Sequence, residues 1–210
     1  MITYYWCCPN EDDQSWERRL ATLPVTLRSY ILTKGTPKQR LQSTYGYWLL
    51  QQMLHYTAAG NLDDLLWLPS GHPVWKKQLP PFSISHSGTL VGVALSQLGR
   101  IGLDIQDLRP LPASAVDSIF FNTSEQQIIQ QASANHSFLI EFWAKKEALT
   151  KAVGGTMLDL AQQIDARFQQ TLFQGSVFHW LSLPHPQKGV VWLASDIPFD
   201  NFSARKWTFH

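Results

Sequence analysis

Two long runs with helical patterning, residues 38–56 and 137–153, lie in opposite halves of a 210-residue chain, each bracketed by short stretches of strand character. A helix of that length must lay its apolar side on a partner, and short neighbouring strands supply a sheet face for it. The chain therefore reads as α+β, with a division near residues 99–101 that gives each half its own strands around one long helix. A chain of this length forms one large domain or two of about 100 residues, and either arrangement buries a real core. Composition agrees, since 44% of residues are hydrophobic, 16% are charged and nine are Trp, as expected of a compact globular protein.

A strand is expected over residues 2–7 and a short polar helix over 12–19, closed before Pro24. The helix at 38–56 follows Pro37 and carries Tyr45, Leu49 and Met53 at helical spacing. Residues 61–75 are punctuated by Pro69, Gly71 and Pro73 and read as a strand leading into a turn. Short strands are expected at 82–85, 90–95 and 101–105, the last with apolar odd positions, so that Asp104 and Gln106 project to one face. Pro112 is expected to open a helix through Phe120, and Thr123 or Ser124 to cap another through Gln131. The helix at 137–153 should stop at Gly154 and Gly155. Further strands are expected at 167–173, 176–181 and 189–194.

The net charge of +1 offers no global electrostatic reason to expect nucleic acid or an acidic membrane as partner, so any anion site must be local. The two cysteines, Cys7 and Cys8, are adjacent, which disfavours an intrachain disulfide and points to a reducing compartment. The seven His are scattered and no second thiol cluster exists, which disfavours zinc. The first residues lack a basic start followed by an apolar run, and no stretch approaches the roughly 20 apolar residues of a membrane span. A soluble cytoplasmic protein is expected.

Three stretches carry candidate chemistry: FSISHSG at residues 82–88, IGLDIQ at 101–106 and WAKKEALTK at 143–151. In the third, Trp143, Glu147 and Lys151 fall four apart on one helix face. As a solvated face this is a Glu–Lys pair worth about 0.2–0.5 kcal/mol. As a site it is a carboxylate that ligates a metal beside a lysine that holds phosphate. Asp104 interrupts an apolar strand, where an ionised carboxylate needs a partner or a metal unless the strand end reaches water. Oxygen donors such as Asp104, Glu147 and the Gln106 amide suit a hard cation like magnesium, whose remaining ligands come from water and phosphate. Ser85, His86 and Ser87 invite a hydrolase reading, but no G-x-S-x-G elbow is present and neighbouring strand residues point to opposite faces. His86 beside a Gly turn instead suits donation to a phosphate, with Ser85 adding a second donor.

In this order the three stretches resemble the Sfp-type 4'-phosphopantetheinyl transferases, which typically show N-I-S-H-S-G, then G-[IV]-D-[IVL]-E, then W-x-x-K-E-[AS]-x-x-K. The resemblance covers roughly residues 25–160. It implies two similar α/β halves, 1–100 and 101–210, related by a pseudo-twofold axis with the active site in the cleft between them. It implies coenzyme A as substrate, magnesium as cofactor and an acyl or peptidyl carrier protein as partner, in a chain expected to be monomeric. Asp104, Gln106 and Glu147 match the metal positions, Glu147 and Lys151 the catalytic ones, and Lys151 also the pyrophosphate contact. Ser85 and His86 match residues at the nucleotide 3'-phosphate, with Arg28, Arg40 and His72 as looser basic matches. Gln106 stands where bacterial members usually carry a second acidic ligand, and His72 replaces the usual lysine. A coenzyme A or carrier-protein binding module without turnover, and a generic magnesium phosphohydrolase, are the rival readings.

Overall fold

The computed structural model describes residues 1–9, 15–67, 73–108, 119–132 and 137–208. In chain order the elements are β1 (Ile2–Cys7), α1 (Ser15–Thr22), α2 (Val25–Leu32), α3 (Pro37–Thr57), β2 (Leu65–Trp67), β3 (Pro73–Trp75), β4 (Phe82–Ser87), β5 (Leu90–Ser96) and β6 (Ile101–Asp107). Then follow α4 (Thr123–Gln131), α5 (Ser137–Val153), α6 (Met157–Leu160), β7 (Gln170–Phe173), β8 (Ser176–Leu183), β9 (Gly189–Ser195) and β10 (Phe202–Lys206). The protein is a mixed α+β structure.

The first sheet has the order β10-β1-β5-β4 and the second β6-β9-β8-β7, with β2 and β3 forming a separate ribbon. Both large sheets share one connectivity: an opening strand, a long helix, then antiparallel strands, two in the first sheet and three in the second, of which the last lies beside the opener. β10 joins the first sheet parallel to β1, so the chain returns at its end to where it began. No strand was expected there, because residues 202–206 are mostly exposed and lack apolar alternation.

Alternation along the strands sorts the side chains into layers. Tyr5, Cys7, Val91, Val93 and Leu95 face α1–α3 and pack on Leu27, Tyr45, Leu49 and Met53. Ile2, Tyr4, Leu90 and Ala94 face the other way and share a core with Ile101, Leu103, Ile105 and Leu193 of the second sheet. The outer face of that sheet packs Trp180, Trp192 and Ala194 on Ala144, Ala148 and Leu149 of α5.

The helix boundaries follow local chemistry. Thr36 closes a capping box on α3, its hydroxyl accepting from the Gln39 backbone N–H while the Gln39 side chain accepts from the Thr36 N–H, with Pro37 at the first helical position. The first expected helix is described over Ser15–Thr22 and ends three residues past the expected boundary, while residues 12–14 lie outside the described set. The cap of α4 is Asn122, not Thr123 or Ser124, because its side chain reaches the Glu125 amide and Glu125 reaches back. Gly154, at φ +73°, terminates α5 as expected. The helix proposed from Pro112 falls almost wholly outside the described residues, and its last two positions, 119 and 120, form a turn.

Candidate active site

The two large sheets meet along β4 and β6, which run side by side in the same direction without a backbone ladder. Ser83, Ser85 and Ser87 of β4 accept hydrogen bonds from the backbone N–H groups of Leu103, Ile105 and Asp107 at 2.9, 3.1 and 3.0 Å. An edge strand carries unpaired N–H groups that must find acceptors when buried. Here serine hydroxyls supply them, and the period of two in the serines matches the period of two in the strand.

Asp104 points from β6 toward α5 and is 1% exposed. On α5, Lys151 places its ammonium 2.8 Å from Asp104 Oδ1 and 3.4 Å from Glu147 Oε1. Lys151 Nζ also donates to the Leu103 carbonyl at 3.1 Å and to Ser85 Oγ at 3.2 Å. The other Asp104 oxygen accepts from the Gln106 amide at 2.9 Å, which shows both side chains on one face, as the strand period requires. The Trp143 indole N–H donates to Glu147 Oε2 at 2.8 Å. A pocket of about 240 Å³ opens beside Lys151, between Tyr47, Pro73, Phe82, Ser83 and Ile84.

Burial pushes the Asp104 carboxyl up to about 6, against the pull of Lys151 and with Glu147 adding to the rise. Burial also works to lower Lys151, but Asp104 and then Glu147 outweigh it and hold the ammonium above its ordinary value. The lysine has two carboxylates beside it and the aspartate one ammonium, so the lysine stays charged and the carboxyl is the member that titrates.

His86 follows Ser85 on β4 and is surface-accessible. Desolvation lowers its pKa, and the nearby Lys151 and Lys34 ammonium groups lower it further. Lys34, which the sequence reading passed over, therefore belongs to the same basic neighbourhood. It sits just after α2, bonded to the Tyr30 hydroxyl at 2.8 Å, and its carbonyl accepts from Arg40 Nε at 2.9 Å. Arg40 is thus tied to this cluster through the backbone. Arg28 lies on α2 with a buried Nε that has no hydrogen-bond partner among the described residues. His72 lies outside the described residues.

The central lysines of WAKKEALTK do not face the site. Lys146 is wholly buried and donates to the Ala161 and Ile164 carbonyls and to Glu125, at 2.6, 2.7 and 2.7 Å. Glu125 in turn accepts from the Ala166 amide at 2.8 Å. Lys145 donates to the Ala166 carbonyl and lies over the Trp192 ring. These two lysines tie α5 to the 161–166 segment, while Glu147 and Lys151, displaced along the helix, reach β6.

The sequence profile of the 4'-phosphopantetheinyl transferase superfamily matches residues 100–194, the stretch from β6 to β9 that carries Asp104, Glu147 and Lys151. Over that stretch, just under half of its length, the chain is similar to this superfamily. It is 30% identical over 116 residues to the uncharacterized protein YieE of Escherichia coli, covering 53% of this chain and 47% of that protein. It is 27% identical over 192 residues to a putative 4'-phosphopantetheinyl transferase of Synechocystis, covering 83% of this chain and 76% of the other. It is 26% identical over 158 residues to the 4'-phosphopantetheinyl transferase AcpT of Escherichia coli, covering 72% and 75%. The chain spans about half the length of the first of these relatives. No described helix is long and apolar enough to cross a membrane.

Proposed function

We propose that this chain transfers the 4'-phosphopantetheine group of coenzyme A to a serine of an acyl or peptidyl carrier protein and releases 3',5'-adenosine bisphosphate. The observation that carries the reading is the buried Asp104 carboxylate bridged to Glu147 by the Lys151 ammonium, beside a pocket and a basic cluster at the seam of two sheets. The shared connectivity of the two sheets supports two halves related by a pseudo-twofold axis, divided near residue 100, with the reaction in the cleft between them.

The basic cluster of His86, Lys34 and Arg40 suits the nucleotide 3'-phosphate. His86 is held neutral in the free protein, so an arriving phosphate raises its proton affinity and gains a charge-assisted hydrogen bond. Lys151 suits the pyrophosphate as a point charge that resists charge build-up on the leaving group. The carrier serine oxygen bonds to the β-phosphorus, its proton passes to Glu147, and the bond from phosphorus to the bisphosphate oxygen breaks. Trp143 holds Glu147 Oε2, which orients the carboxylate while Oε1 remains the oxygen nearer Lys151.

The donor set fits magnesium. Asp104 and Glu147 are hard oxygen donors, and the raised affinity of Asp104 for a proton marks a buried negative charge that a dication relieves. Gln106 adjoins them as a neutral donor, bonded to Asp104 through its amide. Magnesium bound there supplies neutralisation of the pyrophosphate charge.

Mass spectrometry of an apo carrier protein incubated with this protein, coenzyme A and magnesium tests the proposal. Transfer adds the phosphopantetheine mass to the carrier. An unmodified carrier with intact coenzyme A supports a binding module, and an unmodified carrier with consumed coenzyme A supports a hydrolase.

A further inference from the structure

We propose that Ser85 is a positioning residue that locks Asp104 and Lys151 together across the seam between the two sheets, and is not a ligand of the nucleotide phosphate. The proposal rests on the transferase reading above. A serine hydroxyl has one proton to give and two lone pairs to accept with. Ser85 Oγ gives its proton to Asp104 Oδ1 at 3.1 Å, and accepts from the Ile105 amide at 3.1 Å and from the Lys151 ammonium at 3.2 Å. Every capacity of the group is used. The residue is also buried, so no donor is left to meet an incoming anion.

Its neighbours on the strand provide the contrast. Ser83 and Ser87 make the same kind of seam bond, to Leu103 and Asp107, but touch neither the Asp104 carboxylate nor the Lys151 ammonium. Only Ser85 contacts one charged group from each of two elements, β6 and α5, while standing on a third. Lys151 has a long flexible stem with a second carboxylate, Glu147, within reach. A hydroxyl fixed by the Ile105 amide favours the rotamer that faces Asp104, so it sets where the ammonium stands when substrate arrives. Such pre-set geometry acts mainly on turnover, because small misplacements of a charge aimed at a leaving group cost transition-state stabilisation.

The test compares Ser85→Ala with Ser87→Ala, which removes a seam bond of the same kind without touching either charge or the pocket beside Lys151. Ser85→Ala is expected to lower kcat at least about tenfold, with the KM preference for coenzyme A over dephospho-coenzyme A unchanged. Ser87→Ala is expected to lower the melting temperature through loss of its own seam bond and kcat by less than about threefold. Equal kcat losses in the two variants would reduce Ser85 to a structural seam residue. A KM rise for coenzyme A that dephospho-coenzyme A does not share would make it a phosphate ligand. Either result overturns the proposal. If Ser85→Ala does not fold, Ser85→Cys keeps the volume, weakens the hydrogen bonds and gives the same comparison.

A second measurement needs no turnover. The melting-temperature loss from Ser85→Ala should differ between the wild-type and Asp104→Asn backgrounds, whereas that from Ser87→Ala should be the same in both. Additivity of Ser85→Ala with Asp104→Asn overturns the proposal. If wild-type protein modifies no carrier, the transferase reading fails, while this cycle still reports whether Ser85 and Asp104 are coupled.

Discussion

At Glu147 the two carboxylate oxygens have different companions: the Trp143 indole holds Oε2 at 2.8 Å, and Oε1 lies 3.4 Å from Lys151. A glutamine at this position keeps the size and an acceptor for the indole, but loses the negative charge and the basicity. Glu147→Gln should therefore keep its melting temperature within a few degrees and lose transfer by about 100-fold or more, as expected for a positioned proton acceptor. Retention of more than about a tenth of wild-type kcat would contradict the assignment. The residues of this cluster were legible from the sequence because two local periods place them, four along a helix for Trp143, Glu147 and Lys151, and two along a strand for Asp104 and Gln106. Lys34 was not legible. It belongs to no short pattern, and only the tertiary fold brings its charge close enough to act on His86.

The pairing of α5 with β6 decides whether those periodic faces meet. Gly102 is a point of close approach, where an added Cβ would run into the Ala148 carbonyl oxygen and crowd the Ala152 amide, both backbone groups of α5. Backbone cannot rotate away as a side chain tip can, so the helix would have to lift off the strand. Gly102→Ala should cost about 3 kcal/mol of stability, at the upper end for overpacking, and should separate Lys151 from Asp104. Chemical denaturation measures the first, and loss of transfer in the protein that remains folded measures the second. A variant as stable as wild type would show that α5 does not depend on this contact. The glycine at 102 was visible in the sequence as part of a motif, but its purpose was not, because the atom it must avoid lies 46 residues away in the chain. The serine seam shares that property. Alternating serines on a strand look like a solvated face until a second edge strand is laid beside them.

Over the whole molecule, a core shared by both large sheets and the return of β10 to β1 couple the second sheet's side of the chain to the first, and the Asp104–Lys151 pair sits near the seam of the two sheets. That placement makes stability depend on pH. The Asp104 carboxyl rises from an ordinary 3.8 to about 6 in the folded protein. The folded state therefore binds this proton more tightly than the unfolded chain does, and the contribution to stability is full at low pH and lost as pH rises through about 4 to about 6. Lys151→Met removes the ammonium that opposes this rise. Near pH 5 the variant keeps its carboxyl protonated and loses mainly hydrogen bonds, whereas near pH 8 it must bury an unpaired carboxylate or hold a proton against the solvent, for about 3 kcal/mol or more. Thermal melts at the two pH values, in metal-free buffer, should show the larger penalty at pH 8, and an equal penalty would contradict the pairing. The sequence alone determined the two long helices, the strands of both large sheets other than β10, and the spacing of the charged residues, since these are encoded within a few neighbours by periodicity, capping and turn chemistry; it did not reveal α2, α6 or the division of residues 61–75 into β2 and β3. Tertiary structure alone decided that β4 and β6 meet through hydroxyls, that Lys145 and Lys146 anchor α5 while Lys151 serves the site, and that an unpatterned strand at 202–206 completes the first sheet. These depend on which surfaces are brought together by burial across long stretches of chain, and no local pattern carries that information.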